Sequence, residues 1–313
     1  MGKKVLRTME HDKKVTVYCS DNTIYKCSIL VGADGAYSAV RQNIYQQLVE
    51  KDSLPPGDNE AFSIGYITMV GVSSPTDHEK YPELRDDSRA YFRLVIGENN
   101  DSLPEDKAKE QHFTNSEWEP ESVEAMLKVF QDFPCAFGGT MKDIFDATPK
   151  ELISKVFLEE KLFQTWYHGR SVLIGDACHK FLPGAGQGAV MAMKDAVVLA
   201  NCLYNMKDVS DESIETAFAN YYRQRYFEAN AVLKSGVIYS KIMFGHKWID
   251  RLLRKIVFNC LPGWLRMKEV NNGLANRPQI NWLPLVENRG SGKVLPQEGR
   301  EEAEKKARSV WEG

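Results

Sequence analysis

The sequence lacks any uninterrupted apolar stretch of the roughly 20 residues that a membrane-spanning helix needs. Its first residues, Met1-Gly2-Lys3-Lys4-Val5-Leu6-Arg7, hold no apolar core of a secretory leader. Met1-Gly2 opens a myristoylation pattern, but Leu6 stands where Ser or Thr is wanted, so that reading is discounted. Cysteine is scarce: the six, at 19, 27, 135, 178, 202 and 260, include no CxxC pair and no zinc-like spacing. Reduced thiols follow, and with them an intracellular place, cytoplasmic or peripheral to an intracellular membrane. Neither sign of charge dominates, since 40 basic and 43 acidic residues leave a net charge of −3. No nucleic-acid partner is therefore expected, because that contact needs a basic surface to displace counterions. There is no internal repeat and no low-complexity tract. What is present is 313 residues of ordinary globular composition, 43% hydrophobic and 27% charged, enough for one large domain or two modest ones.

The pattern along the chain divides it. Val15 to Tyr18 alternates as a strand, Asp21-Asn22-Thr23 turns, and Ile24 to Ser28 returns. Ile29-Leu30-Val31 is a short apolar run ending at Gly32-Ala33-Asp34-Gly35, as a buried parallel strand would, and a helix begins near Ser38. Leu54 to Asn59 is a breaker cluster and a boundary. Beyond it, 61–72 and 89–96 read as strands, 97–115 as a polar loop, 120–130 as a helix and 152–158 as a strand. Val172-Leu173-Ile174 is a second short buried strand, ending at Gly175-Asp176. The loop Pro183-Gly184-Ala185-Gly186-Gln187-Gly188 leads into a helix to about Asn205 whose apolar residues almost encircle it, as in a core helix. Ile214 to Ala229 marks another helix. From 236 to 270 runs an amphipathic stretch with seven Lys or Arg and two acids; a membrane surface and ordinary packing both suit it. From Val286 the chain is polar and expected to be mobile, with a charged helical piece at 300–308.

Two glycine motifs, each directly after a buried strand, carry the chemistry. The first is Gly32-Ala33-Asp34-Gly35-Ala36-Tyr37-Ser38-Ala39-Val40-Arg41; the second runs from Gly169 through Gly175-Asp176-Ala177-Cys178-His179 and the glycine loop to Asp195-Ala196. Ligands of open α/β sheets sit beyond the carboxyl ends of strands. An acid there accepts hydrogen bonds from polyol hydroxyls, glycines let backbone approach a flat ring, and a helix start offers N–H groups and a positive dipole end to an anion.

Together the motifs resemble the Asp-Gly and Gly-Asp fingerprints of the class A FAD-dependent monooxygenases, the para-hydroxybenzoate hydroxylase-like family, most closely its fungal members. The resemblance is direct over about 28–42 and 168–203. It implies an α/β fold: a Rossmann-like FAD-binding domain in two segments, 1–50 and 166–235, an inserted α+β, β-rich substrate domain over 51–165, a helical part over 236–285 and a tail over 286–313. It implies FAD as cofactor, NAD(P)H as co-substrate, and hydroxylation or epoxidation of a hydrophobic small molecule with O2 through a flavin C4a-hydroperoxide. Residue by residue, Asp176 beside Gly175 would bind the ribityl chain, and Pro183 and Gly184 would lie by the reactive edge of the flavin. Ala185, Gly186, Gln187 and Gly188 would present backbone N–H groups to its pyrimidine ring. Asp34 and Gly35 would help hold FAD, and Arg41 would contact the pyrophosphate. Val190 stands where the family usually has Asn and offers only its backbone. No metal is expected, and no catalytic acid, base or nucleophile is assigned.

The family's opening strand–Gly-x-Gly-x-x-Gly–helix unit does not precede Gly32, so the chain reads as the C-terminal portion of a flavoprotein, with weak FAD affinity in isolation. Gly184-x-Gly186-x-x-Ala189 matches a relaxed dinucleotide pattern but lacks the strand directly before it. Plainer roles stand beside these. Asp34 and Asp176 suit turn or helix caps, Arg41 a helix surface, His179 a structural hydrogen bond, Cys178 a packed small side chain, and Tyr66, Tyr91 and Phe92 sheet core or edge. Three alternatives stay open at this point: another flavin reaction on the same scaffold, a catalytically silent fragment with a binding or membrane-associated role, and a nicotinamide dehydrogenase without flavin.

Overall fold

The computed structural model describes residues 2–75, 79, 89–97, 120–183, 186–244, 248–265, 274–284, 286, 290, 292–298 and 301. The chain divides into two units, the first of residues 1–60, 160–243 and 247–313, the second of 61–159 and 244–246.

Unit 1 begins with a three-stranded antiparallel sheet, β1 (Val5–His11), β2 (Lys14–Cys19) and β3 (Ile24–Cys27), in that order. Asp12 and Lys13, at φ 50° and 60°, form the two-residue turn between β1 and β2, a geometry whose twist matches a hairpin's strands. Alternate residues Val15, Val17 and Cys19 of β2 are buried, following the period of two. β1 escapes the sequence pattern because only Thr8 of its seven residues is buried.

The second sheet carries both glycine motifs. β4 (Leu30–Gly32) pairs in parallel with β9 (Ser171–Leu173), Leu30 opposite Ser171 and Gly32 opposite Leu173; β8 (Tyr167–His168) flanks β9 antiparallel. Helix α1 (Ala39–Glu50) packs Val40, Ile44 and Leu48 into a core with Trp166, Val172 and Leu173. The same core takes Met191, Val198 and Leu199 from the helix Gly188–Tyr204 and Phe218 and Tyr221 from the helix Asp211–Phe244. Buried Arg170 clamps this frame, its guanidinium donating to Ser28 O, Val209 O and Asp211 Oδ1 at 3.0, 3.1 and 2.6 Å.

Unit 2 holds β5 (Ser63–Val72), β6 (Tyr91–Gly97) and most of β7 (Ile153–Leu162), with α2 (Pro120–Phe130) and α3 (Met141–Asp146). β5 and β6 are antiparallel, Val72 opposite Tyr91 and Tyr66 opposite Gly97. Phe92 and Phe145 meet edge-on, with centroids 5.3 Å apart, in a core with Met69, Met126 and Ile144. Phe92 is thus sheet core, Tyr91 is exposed and Tyr66 half-buried. β7 runs on into unit 1, where Lys161 and Leu162 pair with β10 (His179–Lys180). The loop expected at 97–115 lies, past Gly97, outside the described residues.

The C-terminal half departs from the pattern in three places. With α4 naming Gly188–Tyr204 and α5 naming Asp211–Phe244, α5 runs on as one helix well past the expected Ala229. The amphipathic stretch is accordingly the end of α5, then α6 (Trp248–Lys255), then a π-turn over Ile256–Cys260. α4 buries one face only, and Met193 lies exposed beside it. The tail expected to be mobile is held over 292–298: Leu295 N donates to Ala275 O at 3.0 Å, Gln279 N to Gln297 Oε1 at 2.7 Å, and Arg223 pairs with Glu298 at 2.7 Å. Apart from Glu301, the charged piece at 300–308 lies outside the described residues. Among the described residues no helix is long and apolar enough to cross a membrane.

Candidate functional site

The parallel pairing of β4 and β9 brings the two glycine motifs to the same end of one sheet. Beyond Gly32 and Leu173 the chains leave side by side, and Ile174 N donates to Gly32 O at 3.0 Å. A cleft of about 380 Å³ opens there, lined by Ala33 and Gly35 of the first motif, Ile174, Gly175 and Asp176 of the second, and Gly188, Ala189 and Ala192 of α4. Its rim is backbone-rich. A Cβ at Gly35, Gly186 or Gly188 would meet no atom within 4 Å. Gly175 is the opposite case: at φ +62° it takes a conformation L side chains avoid, and a Cβ would lie 3.0 Å from Ala192 Cβ. Gln187 caps α4 without a side-chain hydrogen bond. Gln187 thus supplies no side-chain acceptor to the first-turn N–H groups, and the positive end of the helix dipole borders the cleft.

The motif residues divide between wall and support. Asp176 lines the cleft half-exposed and takes Lys180 Nζ at 2.8 Å. Asp34 spends its carboxylate on α1: Oδ1 accepts Ser38 Oγ at 2.5 Å, and Oδ2 accepts Ala39 N at 2.7 Å and Val40 N at 3.2 Å. Ser38 Oγ in turn accepts Arg41 N at 2.9 Å, which completes the cap. Arg41 is not a surface charge. It is buried, donates to Ala36 O at 2.6 Å and Ala177 O at 2.8 Å, and lies 4.0 Å from the Phe163 ring centroid. One guanidinium thus ties the loop of the first motif to that of the second, and burial holds its pKa below the ordinary arginine value. Pro183 is exposed, Gly186 is exposed at φ +63°, and Gln187 is half-buried; Gly184 and Ala185 lie outside the described residues.

Behind the cleft sits a buried ionic cluster whose centre, Asp195, was not among the residues singled out as cofactor-binding. Asp195 Oδ2 accepts Gly175 N at 2.9 Å and pairs with His179 Nε2 at 2.6 Å, while Oδ1 accepts Arg225 Nε at 2.8 Å. All three side chains are fully buried, and Arg225 continues to Glu228, which also takes Lys194 Nζ at 2.5 Å. The available signal was an acid inside a mostly apolar helical run, four residues after Met191. His179 stacks on Phe181, with centroids 4.7 Å apart, in the structural role its alternative reading gave it. Cys178 is buried, in keeping with a packed small side chain, and burial drives its thiol pKa well above the usual range. Cys178, His179 and Asp195 have a metal-like spacing. The arginine already seated on Asp195 opposes a cation there.

Comparison with known proteins places the fold in a family. Residues 1–234 match the family described as the FAD binding domain, and the chain belongs to that family. It is similar to the FAD-dependent monooxygenase esdpE of Penicillium shearii, 28% identical over 91% of this chain and 62% of that one. It is also similar to the FAD-dependent monooxygenase ptmM of Penicillium ochrochloron, 30% identical over 72% of this chain and 55% of that one. This chain thus matches somewhat over half the length of these curated relatives. Among solved structures, Klebsiella pneumoniae HpxO complexed with FAD and uric acid shares the fold, with a TM-score of 0.62 and 20% identity over 87% of this chain and 66% of that one.

Proposed function

We propose that this chain is the flavin-handling portion of an FAD-dependent monooxygenase that uses NAD(P)H and O2 to place one oxygen atom in a hydrophobic small molecule. The observation that carries the reading is the single cleft shared by two strand-end motifs from distant parts of the sequence. Its open glycine rim and uncapped helix start fit a flat, anionic, polyol-bearing cofactor. When bound, FAD supplies the electron transfer and oxygen chemistry that no amino-acid side chain provides.

The protein's share is placement and charge. Asp176 would accept hydrogen bonds from cofactor hydroxyls, with Lys180 seated on one of its two carboxylate oxygens. The first turn of α4 stabilises negative charge through its N–H groups and dipole. Glycine at 186 and 188 leaves room for a ring at van der Waals distance from backbone. Asp34 and Arg41 act as positioning residues, the first by fixing α1 and the second by locking the two motif loops together. Asp195 and Arg225 do the same for the Gly175 turn.

The test is a flavin titration of the purified chain followed by NAD(P)H oxidation under O2, with product oxygen traced by isotope. Gly188→Phe fills the cleft without backbone strain, so it should weaken FAD binding at least about ten-fold with unchanged thermal stability. Asp176→Ala removes one charged acceptor, worth about 1.5–3 kcal/mol, or roughly ten-fold or more in affinity. Equal FAD affinity in wild type and Gly188→Phe would show that the flavin lies elsewhere. Bound flavin with no NAD(P)H consumption would favour a binding protein over an oxygenase.

A further inference from the structure

We propose that α6, with the exposed residues Ile238 and Tyr239 before it and Ile256, Phe258 and Trp264 after it, is a docking surface for an anionic lipid bilayer, with α6 lying in the membrane–water interface. On a helical projection of α6, Trp248, Ile249, Leu252 and Leu253 fall on one side and Asp250, Arg251, Arg254 and Lys255 on the other. An amphipathic helix in a globular protein ordinarily turns its apolar side inward. Here that side faces out: Trp248 is 73% exposed, Ile249 56%, Leu252 49% and Leu253 40%. The polar side makes the attachment instead, with Arg254 Nε donating to Ile242 O of α5 at 2.7 Å. Ile238 and Tyr239 before the helix, and Ile256, Phe258 and Trp264 after it, are exposed as well.

Two features select a bilayer over a protein partner. Trp248 opens α6 and Trp264 closes the surface, each largely exposed, and indole rings favour the headgroup level of a membrane. The charge is one-sided too: from 238 to 264 there are five Lys or Arg against one acid, in a chain whose overall charge is −3. That local excess complements anionic headgroups, and a helix with basic residues beside an apolar face lies flat on such a surface. A hydrophobic substrate would partition into the same bilayer, but the docking surface stands on its own whether or not the oxygenase reading holds.

The experiment is flotation of the full chain with phosphatidylcholine vesicles, with and without phosphatidylserine, at low and high salt. Wild type should float with the phosphatidylserine vesicles, several-fold less with phosphatidylcholine alone, and less in high salt. The double substitution Trp248→Ser/Leu252→Ser should abolish flotation. Lys241→Glu/Lys255→Glu, which leaves the apolar face whole, should weaken binding to phosphatidylserine vesicles about ten-fold or more and spare the weak binding to neutral ones. Circular dichroism and FAD titration check that each variant is folded. Wild type failing to float, or all variants floating alike, overturns the proposal. So does sedimentation showing a wild-type dimer that Trp248→Ser/Leu252→Ser dissociates without any flotation, since a second copy would then be the occupant.

Discussion

Asp195 carries its charge at zero exposure because three donors converge on it, Gly175 N, His179 Nε2 and Arg225 Nε. Burial by itself raises a carboxyl's pKa; the hydrogen bond from His179 and the charge of Arg225 outweigh it and hold Asp195 below its ordinary 3.8. A folded-state pKa below the unfolded one contributes stability that is present above pH 3.8 and lost as pH falls through the lower folded value. Asp195→Asn should therefore cost about 3–5 kcal/mol near neutrality, the cost of leaving Arg225 buried without its partner. Urea titrations from neutral to acid pH should show wild type and variant converging only below pH 3.8. Because the amide keeps one acceptor where the carboxylate offered two, Gly175 N and Arg225 Nε compete for it, the Gly175 turn loosens and FAD affinity should fall along with stability. Gly175→Ala separates the two contributions at that turn. The left-handed backbone costs about 1–2 kcal/mol whatever the space. Ala192→Gly removes the 3.0 Å contact but not the strain, so the double variant should recover only part of the loss in a urea titration.

At the scale of elements, the cap of α1 and the clamp of Arg41 decide whether the first motif is ligand or scaffold. Asp34→Asn keeps an acceptor for the Ala39 and Val40 N–H groups but removes the charge. A capping role predicts a loss of a few tenths to about 1 kcal/mol and little change in FAD affinity. A direct cofactor contact would instead lower affinity about ten-fold or more. Arg41→Lys keeps one cation but cannot reach Ala36 O and Ala177 O together, so thermal unfolding should show a loss of about 2–3 kcal/mol. The sequence pattern made the two motif strands legible because each is a short apolar run ending at glycine, and it placed α1 within a residue of its N-cap Ser38. It hid β1, whose exposed faces show no alternation, and α3, whose six residues are too short for a helical period. It showed that α6 is amphipathic but not which way it faces, since a pattern gives a stripe without a neighbour. Asp195 was visible as an acid among apolar residues, but its three partners come from elsewhere in the chain and only folding joins them.

For the whole molecule, the division into two units separates stability from cofactor binding. Every residue lining the cleft belongs to unit 1, whereas Met69, Phe92, Met126, Ile144 and Phe145 form a core wholly within unit 2. Met69 is fully buried in that core, and truncating a buried methionine to alanine costs about 2–5 kcal/mol. Met69→Ala should spend that loss on unit 2. Hydrogen exchange should accelerate over Ser63–Val72 and Tyr91–Gly97, while Ser171–Leu173 and α4 keep their protection and FAD affinity stays unchanged. Leu173→Ala should show the converse: this fully buried residue abuts Gly32 and belongs to the unit 1 core, so α1, β9 and α4 should lose protection and the flavin should bind more weakly. If either substitution melted both units in one step with one common loss of FAD binding, the cofactor cleft would depend on the entire chain. The two units would then be a single cooperative body, and changes in unit 2 could not be made without a cost to the flavin site.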